Sequence, residues 1–570
     1  MGMMGGSNKK LGVWLACLTS AGALAPAAFA QTESPSQTRP GVSAAEPTRD
    51  AIFTFPSTSG QAAPAGAQDV TFILTELVIE GAYDGVSAGP APSGVVSVAD
   101  VYAYASRLQQ AYLDAGYPLA RVIVPAQELD EAGAVRIRVI DGYVQALNLD
   151  AVPERARSRV AQVLSTLIGK RRPTSSEIER RVLLAGDTAG LALRTTLTAG
   201  QELGGAVLVL HGQHDAMAGV LAMDDRVSEP YGGYQVALSL ALNSVFGWGE
   251  QAYFTLAGFP DDEWFGESAR RRYFAFGFAK PIGSDGLMAN FAWDYSSTRP
   301  GGDVKALRLE SEYQRLGFGL TYPVVRSRAG NLFVSAGLDV VRETQDTHIT
   351  GSPTPLSEDR LSVLRLGLDV SGSLKPDTRG ALSVGLSQGL DIFNARSASD
   401  ATPLNPLSRQ GADADFTSLE AEGGVEVAAQ NVHFYAGASA QYSFDEPLVR
   451  SEQYSPVGRN GISGPPSSGI VGDRGWSVRA EARWPRRGGG ESIVTPYLFG
   501  AAGEAYFERP TVLELERTEA RAFGAGLRLQ SAPDQFGRSG FALGFELSAL
   551  DSNNESLDDA WFGVNFAARF

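Results

Sequence analysis

From about residue 215 to the last residue, Phe570, the chain is written almost entirely in period two. Tyr234, Val236, Leu238, Leu240 and Leu242 alternate with Gln235, Ala237, Ser239, Ala241 and Asn243. Phe274, Phe276 and Phe278 alternate with Ala275, Gly277 and Ala279. Leu287, Ala289, Phe291, Trp293 and Tyr295 alternate with Met288, Asn290, Ala292 and Asp294. Residues 332–340 and 382–386 repeat the pattern, and Phe562, Val564, Phe566, Ala568 and Phe570 end the chain on it. Successive side chains of a strand point to opposite faces, so each segment is a strand with one large apolar face and one small or polar face. A soluble β-sandwich alternates as well. Here, however, the apolar faces carry large aromatics, which suits lipid outside and a wet lumen inside. Connection lengths also alternate, with tight turns at 280–286 and 326–331 against long polar segments at 298–312 and 445–473. Short turns on one side and long loops on the other are the habit of outer-membrane barrels. Backbone groups in lipid must all be paired, and among all-β arrangements only a closed barrel achieves that. About 355 residues, at roughly 20 to 24 per strand and loop, allow about 14 to 18 strands.

The beginning of the chain reads as an export signal. Lys9 and Lys10 precede an apolar stretch over 11–24, and Ala28-Phe29-Ala30 supplies the small-x-small cleavage pattern, making 1–30 a signal peptide and Gln31 the first mature residue. A membrane anchor competes with this, but the apolar run is short for a span and Pro26 sits where the helix should end. A lipid attached at Cys17 would want a small aliphatic residue three positions upstream, where Trp14 stands. Cys17 is the only cysteine, so the mature chain is expected to carry no disulfide and no thiol chemistry. After Ala30 no run of about 20 apolar residues offers a membrane helix. The net charge of −16 speaks against a nucleic-acid partner.

Between these regions the texture is mixed. Residues 31–68 are rich in Pro, Ala, Ser, Thr and Gly without hydrophobic periodicity, and read as a flexible lead-in. A first α+β domain is expected over 69–146. It has a strand at 71–80 and a helix capped by Ser97-Val98-Ala99-Asp100, with Val98, Val101, Ala105, Leu108 and Tyr112 at helical spacing. Gly116 ends that helix, and strands follow at 120–124 and around Val135, Ile137 and Val139. A second α+β domain is expected over 147–214. Its helix at 155–167 precedes another capped by Thr174-Ser175-Ser176-Glu177, with strands at 191–198 and 204–210. The barrel takes 215–570.

The order of parts, and several local motifs, resemble the two-partner secretion transporters, the secretion/activation proteins for hemolysins and filamentous adhesins within the POTRA-plus-barrel superfamily. YLDAGYPLARVIVPAQ at 112–127, followed by Ile140-Asp141-Gly142, is similar to a segment of the family's first POTRA domain. YPVVRSR at 322–328 resembles a recurrent barrel turn. LVRSEQY at 448–454 resembles the approach to the family's long inward-folded loop, and Arg474-Gly475-Trp476 resembles the tip of that loop. Pro496-Tyr497-Leu498-Phe499, with Gly503, resembles the strand that faces the tip, and Phe570 the terminal assembly signal. The resemblance implies a sixteen-stranded transmembrane antiparallel β-barrel preceded by two small α+β POTRA domains. It also implies an outer-membrane location with those domains in the periplasm, and a secreted partner protein captured in extended form and conducted outward. Partner recognition is then expected around Gly116, Tyr117, Pro125 and Gln127.

Three positions depart from the family pattern. Asp473 stands where an aliphatic residue is usual, Ala501 where an aspartate would pair with the loop arginine, and a lumenal plug helix has only the candidate stretch 44–53. A guanidinium in a lumen wants a carboxylate. Arg474 would therefore look to Asp473 or another lumen-facing acid, and Arg474→Ala is expected to depress secretion without unfolding the barrel.

Other signals point to little. His211-Gly212-Gln213-His214 places its two histidines on opposite faces of a strand, without a third ligand nearby. No Ser, His and carboxylate grouping can be assembled around His348 and His433, and no Gly-x-x-x-x-Gly-Lys loop holds a nucleotide. The expectation is therefore no enzyme, no metal, no cofactor and no nucleotide, with outer-membrane lipids as the surroundings. An insertase-like assembly factor of the same superfamily is the alternative function. A porin is the remaining one, but gains nothing from two periplasmic domains.

Overall fold

The computed structural model describes residues 35–36, 52–54 and 60–570, apart from 129–132, 226, 262, 265, 267, 465–469, 490–491, 513, 532–538, 555–556 and 558–559. The expected export signal at 1–30, with Cys17, lies outside the described residues, as does most of the lead-in. Within the lead-in, β1 (Ile52–Thr54) is a strand that takes in the last two residues of the candidate helical stretch 44–53, the rest of which lies outside the described residues.

The first α/β module contains β2 (Thr71–Leu74), β3 (Glu76–Glu80), β4 (Gly94–Ser97), α1 (Val98–Asp114), β5 (Arg121–Ile123) and β6 (Ala134–Ile140). The single strand expected at 71–80 is two. β2 pairs antiparallel with β4, whereas β3 pairs parallel with β6. The chain changes sheets at Thr75, whose N–H donates to the Gly133 carbonyl at 3.1 Å. Gly133 sits at φ +66°, and a Cβ there would lie 2.0 Å from the Ile73 carbonyl oxygen, so the crossing needs a glycine. The capping box on α1 forms as expected: Ser97 Oγ accepts from the Asp100 amide and Asp100 accepts from the Ser97 amide at 2.8 Å. Val101, Ala105, Leu108 and Tyr112 are buried against the sheet.

The second module contains β7 (Tyr143–Ala151), α2 (Glu154–Leu164), α3 (Ser175–Gly186), β8 (Leu191–Ala199) and β9 (Gly205–His214). Residues 165–167, expected to extend α2, form a 3-10 turn instead. β7 escapes a period-two reading because its register against β9 slips at two places, between Val144 and Ala146 and between Asn148 and Ala151. The two modules share one sheet order: β3-β6-β5 in the first and β7-β9-β8 in the second.

The rest closes into a barrel. Its strands are β10 (Met217–Asp224), β11 (Gln235–Asn243), β12 (Gln251–Gly258), β13 (Arg271–Ile282), β14 (Leu287–Thr298), β15 (Leu309–Arg326), β16 (Gly330–Thr347), β17 (Thr354–Lys375), β18 (Thr378–Gly389), β19 (Thr417–Ala429), β20 (Val432–Tyr442), β21 (Arg474–Arg483), β22 (Arg486–Arg487), β23 (Ser492–Tyr506), β24 (Arg517–Ser531), β25 (Gly540–Ser552) and β26 (Ala560–Arg569). Both β21 and the short β22 pair with β23, so they act as one stave, and the described residues make a sixteen-stranded antiparallel wall. β26 returns to β10, with Met223 opposite Phe566. Along β11 the small and polar residues Gln235, Ala237, Ser239, Ala241 and Asn243 are buried, while the large residues between them are partly exposed. Elsewhere Phe318, Phe434, Phe523 and Phe562 stand outward and exposed. The large apolar face therefore looks away from the lumen, where lipid would cover it.

Candidate functional site

The second module is docked on one rim of the barrel. Arg326, at the end of β15, donates to Asp187 at the end of α3 through Nε at 3.0 Å and Nη2 at 2.8 Å. Arg180 donates to the Pro323 carbonyl at 2.8 Å, Arg181 pairs with Asp285 at 3.1 Å, and Arg328 with Glu179 at 3.0 Å. YPVVRSR, read from the sequence as a barrel turn, is thus also the dock for α3.

The same module carries an extra strand. β1 lies parallel on β8, with Ile52 opposite Arg194 and Thr54 opposite Thr196. Without β1, β8 would be the sheet edge. Further along, Gln61 Oε1 accepts from the Val124 amide, just beyond the edge strand β5 of the first module. Upstream, Ser36 Oγ donates to the Glu343 carboxylate on β16 at 3.1 Å. The chain's own lead-in therefore touches the barrel wall, the strand β8 of the second module and the end of the edge strand β5 of the first.

Of the residues expected to recognise a partner, Gly116 and Tyr117 lie at the junction of the two modules, and Pro125 and Gln127 lie within the first. Gly116, at φ +85°, ends α1, and its carbonyl accepts from the Ser175 amide at 2.8 Å, joining the first module to the cap of α3. Tyr117 packs edge-on to Tyr83 at 5.0 Å, and the Arg172 guanidinium covers the Tyr83 ring at 4.2 Å. Burial, and then Asp141, push the Tyr83 hydroxyl well above its ordinary pKa. Gln127 exchanges two bonds of 2.9 Å with the Arg136 backbone on β6, continuing the pairing that β5 began, and Pro125 offers it a carbonyl at 3.4 Å.

In the lumen, the described residues of the segment 443–473, between β20 and β21, fold inward. Leu448 and Val449 are buried, and Tyr454 exchanges two backbone bonds with Gly472, at 2.8 and 3.0 Å, to make a neck. Beyond it the chain turns tightly, with the Ile462 amide on the Pro456 carbonyl at 2.9 Å. Ile462 and Ile470 pack with Tyr497 and Phe499 of β23. A Cβ at Gly503 would lie 2.8 Å from Pro456 Cβ, so the segment lies close over that glycine. Phe499 and Gly503 thus both face the inward segment.

Arg474-Gly475-Trp476 does not. Arg474 is the first residue of β21, opposite Tyr506, and Trp476 points outward beside Val478. Arg474 pairs with Glu508 at 2.7 Å, at the end of the barrel away from the modules. Strand parity decides this: Arg474, Trp476 and Val478 share the outer face, whereas Gly475, Ser477 and Arg479 share the inner one. The turn of the segment lies instead around Asn460 to Ser463. Asp473 is fully buried and binds Arg409 at 3.0 Å, the Leu448 amide at 2.9 Å and the Glu508 amide at 2.7 Å, so it is not the partner of Arg474.

Two polar networks on the inner wall were not anticipated. In the first, Tyr273 donates to Asp294, Arg315 bridges Asp294 and Asp339 at 3.0 and 2.9 Å, and Arg365 continues from Asp339 to Glu452 of the inward segment. In the second, Glu481 receives Arg479, Arg483 and Arg528, and Glu546 receives Arg479 and Tyr497. Ala501 lies opposite Arg479. The alternation Arg479-x-Glu481-x-Arg483, on one face of a strand, was the signal available for the second network. Phe570 lies on the closing seam, exchanging backbone bonds of 2.8 and 3.0 Å with Gly219 of β10. Among the described residues no group of three or more His, Cys, Asp or Glu is gathered as metal ligands.

Residues 204–529 match the family described as haemolysin secretion/activation protein ShlB/FhaC/HecB, and residues 87–142 match the ShlB-type POTRA domain. The heme/hemopexin transporter protein HuxB of Haemophilus influenzae is 21% identical over 486 residues, 83% of this chain and 82% of that protein. CdiB from Escherichia coli has the same fold with a TM-score of 0.68, at 18% identity, over 92% of this chain and 94% of that one. CdiB from Acinetobacter baumannii gives 0.58 at 14% identity, over 88% and 90%. At these identities the solved structures speak for the fold.

Proposed function

Because the chain belongs to the haemolysin secretion/activation protein ShlB/FhaC/HecB family, and so to the two-partner secretion transporters of the outer membrane, we propose how its parts divide the work. Its two N-terminal modules stand in the periplasm and take up an exported partner protein in extended form. The partner adds as a strand to the β8 edge, where backbone amides and carbonyls supply affinity and alternate side chains supply selectivity. The barrel then conducts the chain outward past the inward segment, within a lipid bilayer that covers its aromatic outer face.

One observation carries this reading: the parallel pairing of β1 with β8. An extended segment already adds to that edge, so the edge accepts strands. Because the same lead-in reaches Glu343 inside the barrel, displacing β1 with a partner strand would loosen the lumen together with the edge.

The test is a reversible staple. Thr54 and Thr196 are paired positions on adjacent strands, a separation that a disulfide can span. Cys17 is the only native cysteine. With Thr54→Cys and Thr196→Cys, oxidation is expected to stop secretion of the partner and reduction to restore it. Secretion at the wild-type rate with the staple closed would remove the β8 edge from the pathway.

A further inference from the structure

We infer that two wall arginines position the inward segment in different ways: Arg365 fixes its neck through Glu452, and Arg479 seats its turn through Ser463. This goes beyond the proposed function but rests on its premise that the lumen is the conduit.

At the neck the contacts are ionic. Arg365 grips Glu452 with two bonds, at 2.7 and 2.8 Å, and the Glu452 side chain is almost fully buried. The guanidinium is held from behind by Asp339 at 3.3 Å and Ser387 at 2.8 Å. Asp339 in turn is tied through Arg315 to Asp294, so the grip is backed by a ladder across β14, β15, β16 and β17. The other leg of the neck is fixed likewise, with Asp473 buried against Arg409. Gln441 Nε2 bridges the two legs, donating to the carbonyls of Glu452 and Asp473 at 2.9 and 3.1 Å. Parting Glu452 from Arg365 would strand a buried carboxylate, which is strongly unfavourable.

At the turn the segment offers neutral side chains to the wall. Ser463 Oγ accepts one bond from Arg479 Nη1 at 2.5 Å, and Asn460 Nδ2 donates to Glu422 at 2.8 Å. Asn460 Oδ1 accepts from the Tyr435 hydroxyl. Arg479 already has Glu481 at 2.6 Å, Glu546 at 2.7 Å and the Phe499 ring at 3.9 Å. It keeps all three when Ser463 leaves. Arg459 attracts Glu422 through space and adds a bias toward the seated position. Lifting the turn breaks these hydrogen bonds and parts the half-buried Glu422 carboxylate from Asn460 and Arg459, whereas lifting the neck strands the more deeply buried Glu452 carboxylate. The segment is built to move from the turn and pivot at Glu452. Arg365 acts through Glu452 and is a positioning residue.

The test needs no partner protein. Ser463→Cys in the full chain, purified and folded in detergent or liposomes, is reacted with a maleimide, and the labelling rate is compared across neck variants. Glu452→Gln and Arg365→Gln are each expected to raise the rate by about tenfold or more, because the seated population falls once the pivot is lost. The double variant Arg365→Gln with Glu452→Gln should be no faster than the faster single, since the two act as one unit. Rates within about twofold of the parent, in a barrel that still shows heat-modifiable migration, would overturn the proposal, as would additive effects in the double. If the glutamine variants fail to assemble, Glu452→Asp and Arg365→Lys keep the charge but lose the two-pronged geometry, and are expected to label at intermediate rates. Unchanged rates there would also overturn it. A wrong secretion pathway leaves these rates untouched, so the two failures are separable.

Discussion

Arg326 and Asp187 form a two-pronged ion pair across the joint between the second module and the barrel, at 2.8 and 3.0 Å. The Arg326 side chain is only 2% exposed, so the pair is more than a surface contact. Removing one partner of a buried pair costs about 3 to 5 kcal/mol, and Asp187, at 22% exposed, lowers that toward the bottom of the range. Asp187→Ala is expected to loosen the dock, not the barrel. Amide exchange in α3 of the full chain should speed up while barrel amides stay protected, and secretion should fall.

The Thr174 cap offers a pH-dependent handle on the same helix. Hydrogen bonding to Lys170, then to the Thr174 amide, holds the Glu177 carboxyl below its ordinary pKa. A depressed carboxylate stabilises the fold above its unfolded pKa of about 4.5 and loses that contribution as pH falls through the folded value. The group is largely exposed, so the effect is small and salt-sensitive. Thr174→Ala is expected to destabilise the module by about 1 kcal/mol. Limited proteolysis of the full chain at pH 7 should show faster cleavage near α3 in Thr174→Ala, and in Glu177→Gln a difference from the parent that shrinks as the pH falls through the folded value of Glu177.

Arg474→Ala is expected to leave secretion within about twofold of the parent, because its pairs at the barrel rim are partly exposed and such pairs are worth about 1 kcal/mol or less. This reverses what the Arg-Gly-Trp triplet suggests on its own. A secretion assay on the variant decides the matter, and a severe loss would return the triplet to the lumenal pathway.

Much of the fold was legible because its signals are local. The alternation over 235–243 translates directly into one buried and one outward face, and the two capping boxes lie where Ser97 and Thr174 announced them. Phe499 and Gly503 lie against the inward segment, on a strand whose motif is recognisable. Arg474 was misplaced because a triplet carries no phase by itself. Counting from Val478 and Arg479 would have put Trp476 outside and the charges within. The grip of Arg365 on Glu452 had no such signal. Its partners are 87 residues apart, and they meet only once the wall has closed with its particular stagger. The pairing of β1 with β8 was hidden for a related reason: three residues in a Pro- and Ser-rich lead-in have no periodicity to read.

Deletion of Phe570 should impair closure of the seam. It removes both backbone bonds to Gly219, at 2.8 and 3.0 Å, at the end of the last strand. The heat-modifiable fraction on semi-native gels is expected to drop, with the rest degraded. An unchanged fraction would show that β10 and β26 close on Val220 to Asp224 alone.

The central claim is that this barrel exports a particular partner protein. The most direct test compares the proteins of the culture medium and cell surface between the parent strain and one lacking this gene. One large exported protein should vanish from the outside and accumulate, or be degraded, in the periplasm. A broad fall of many outer-membrane barrels, or no change outside the cell, would contradict it.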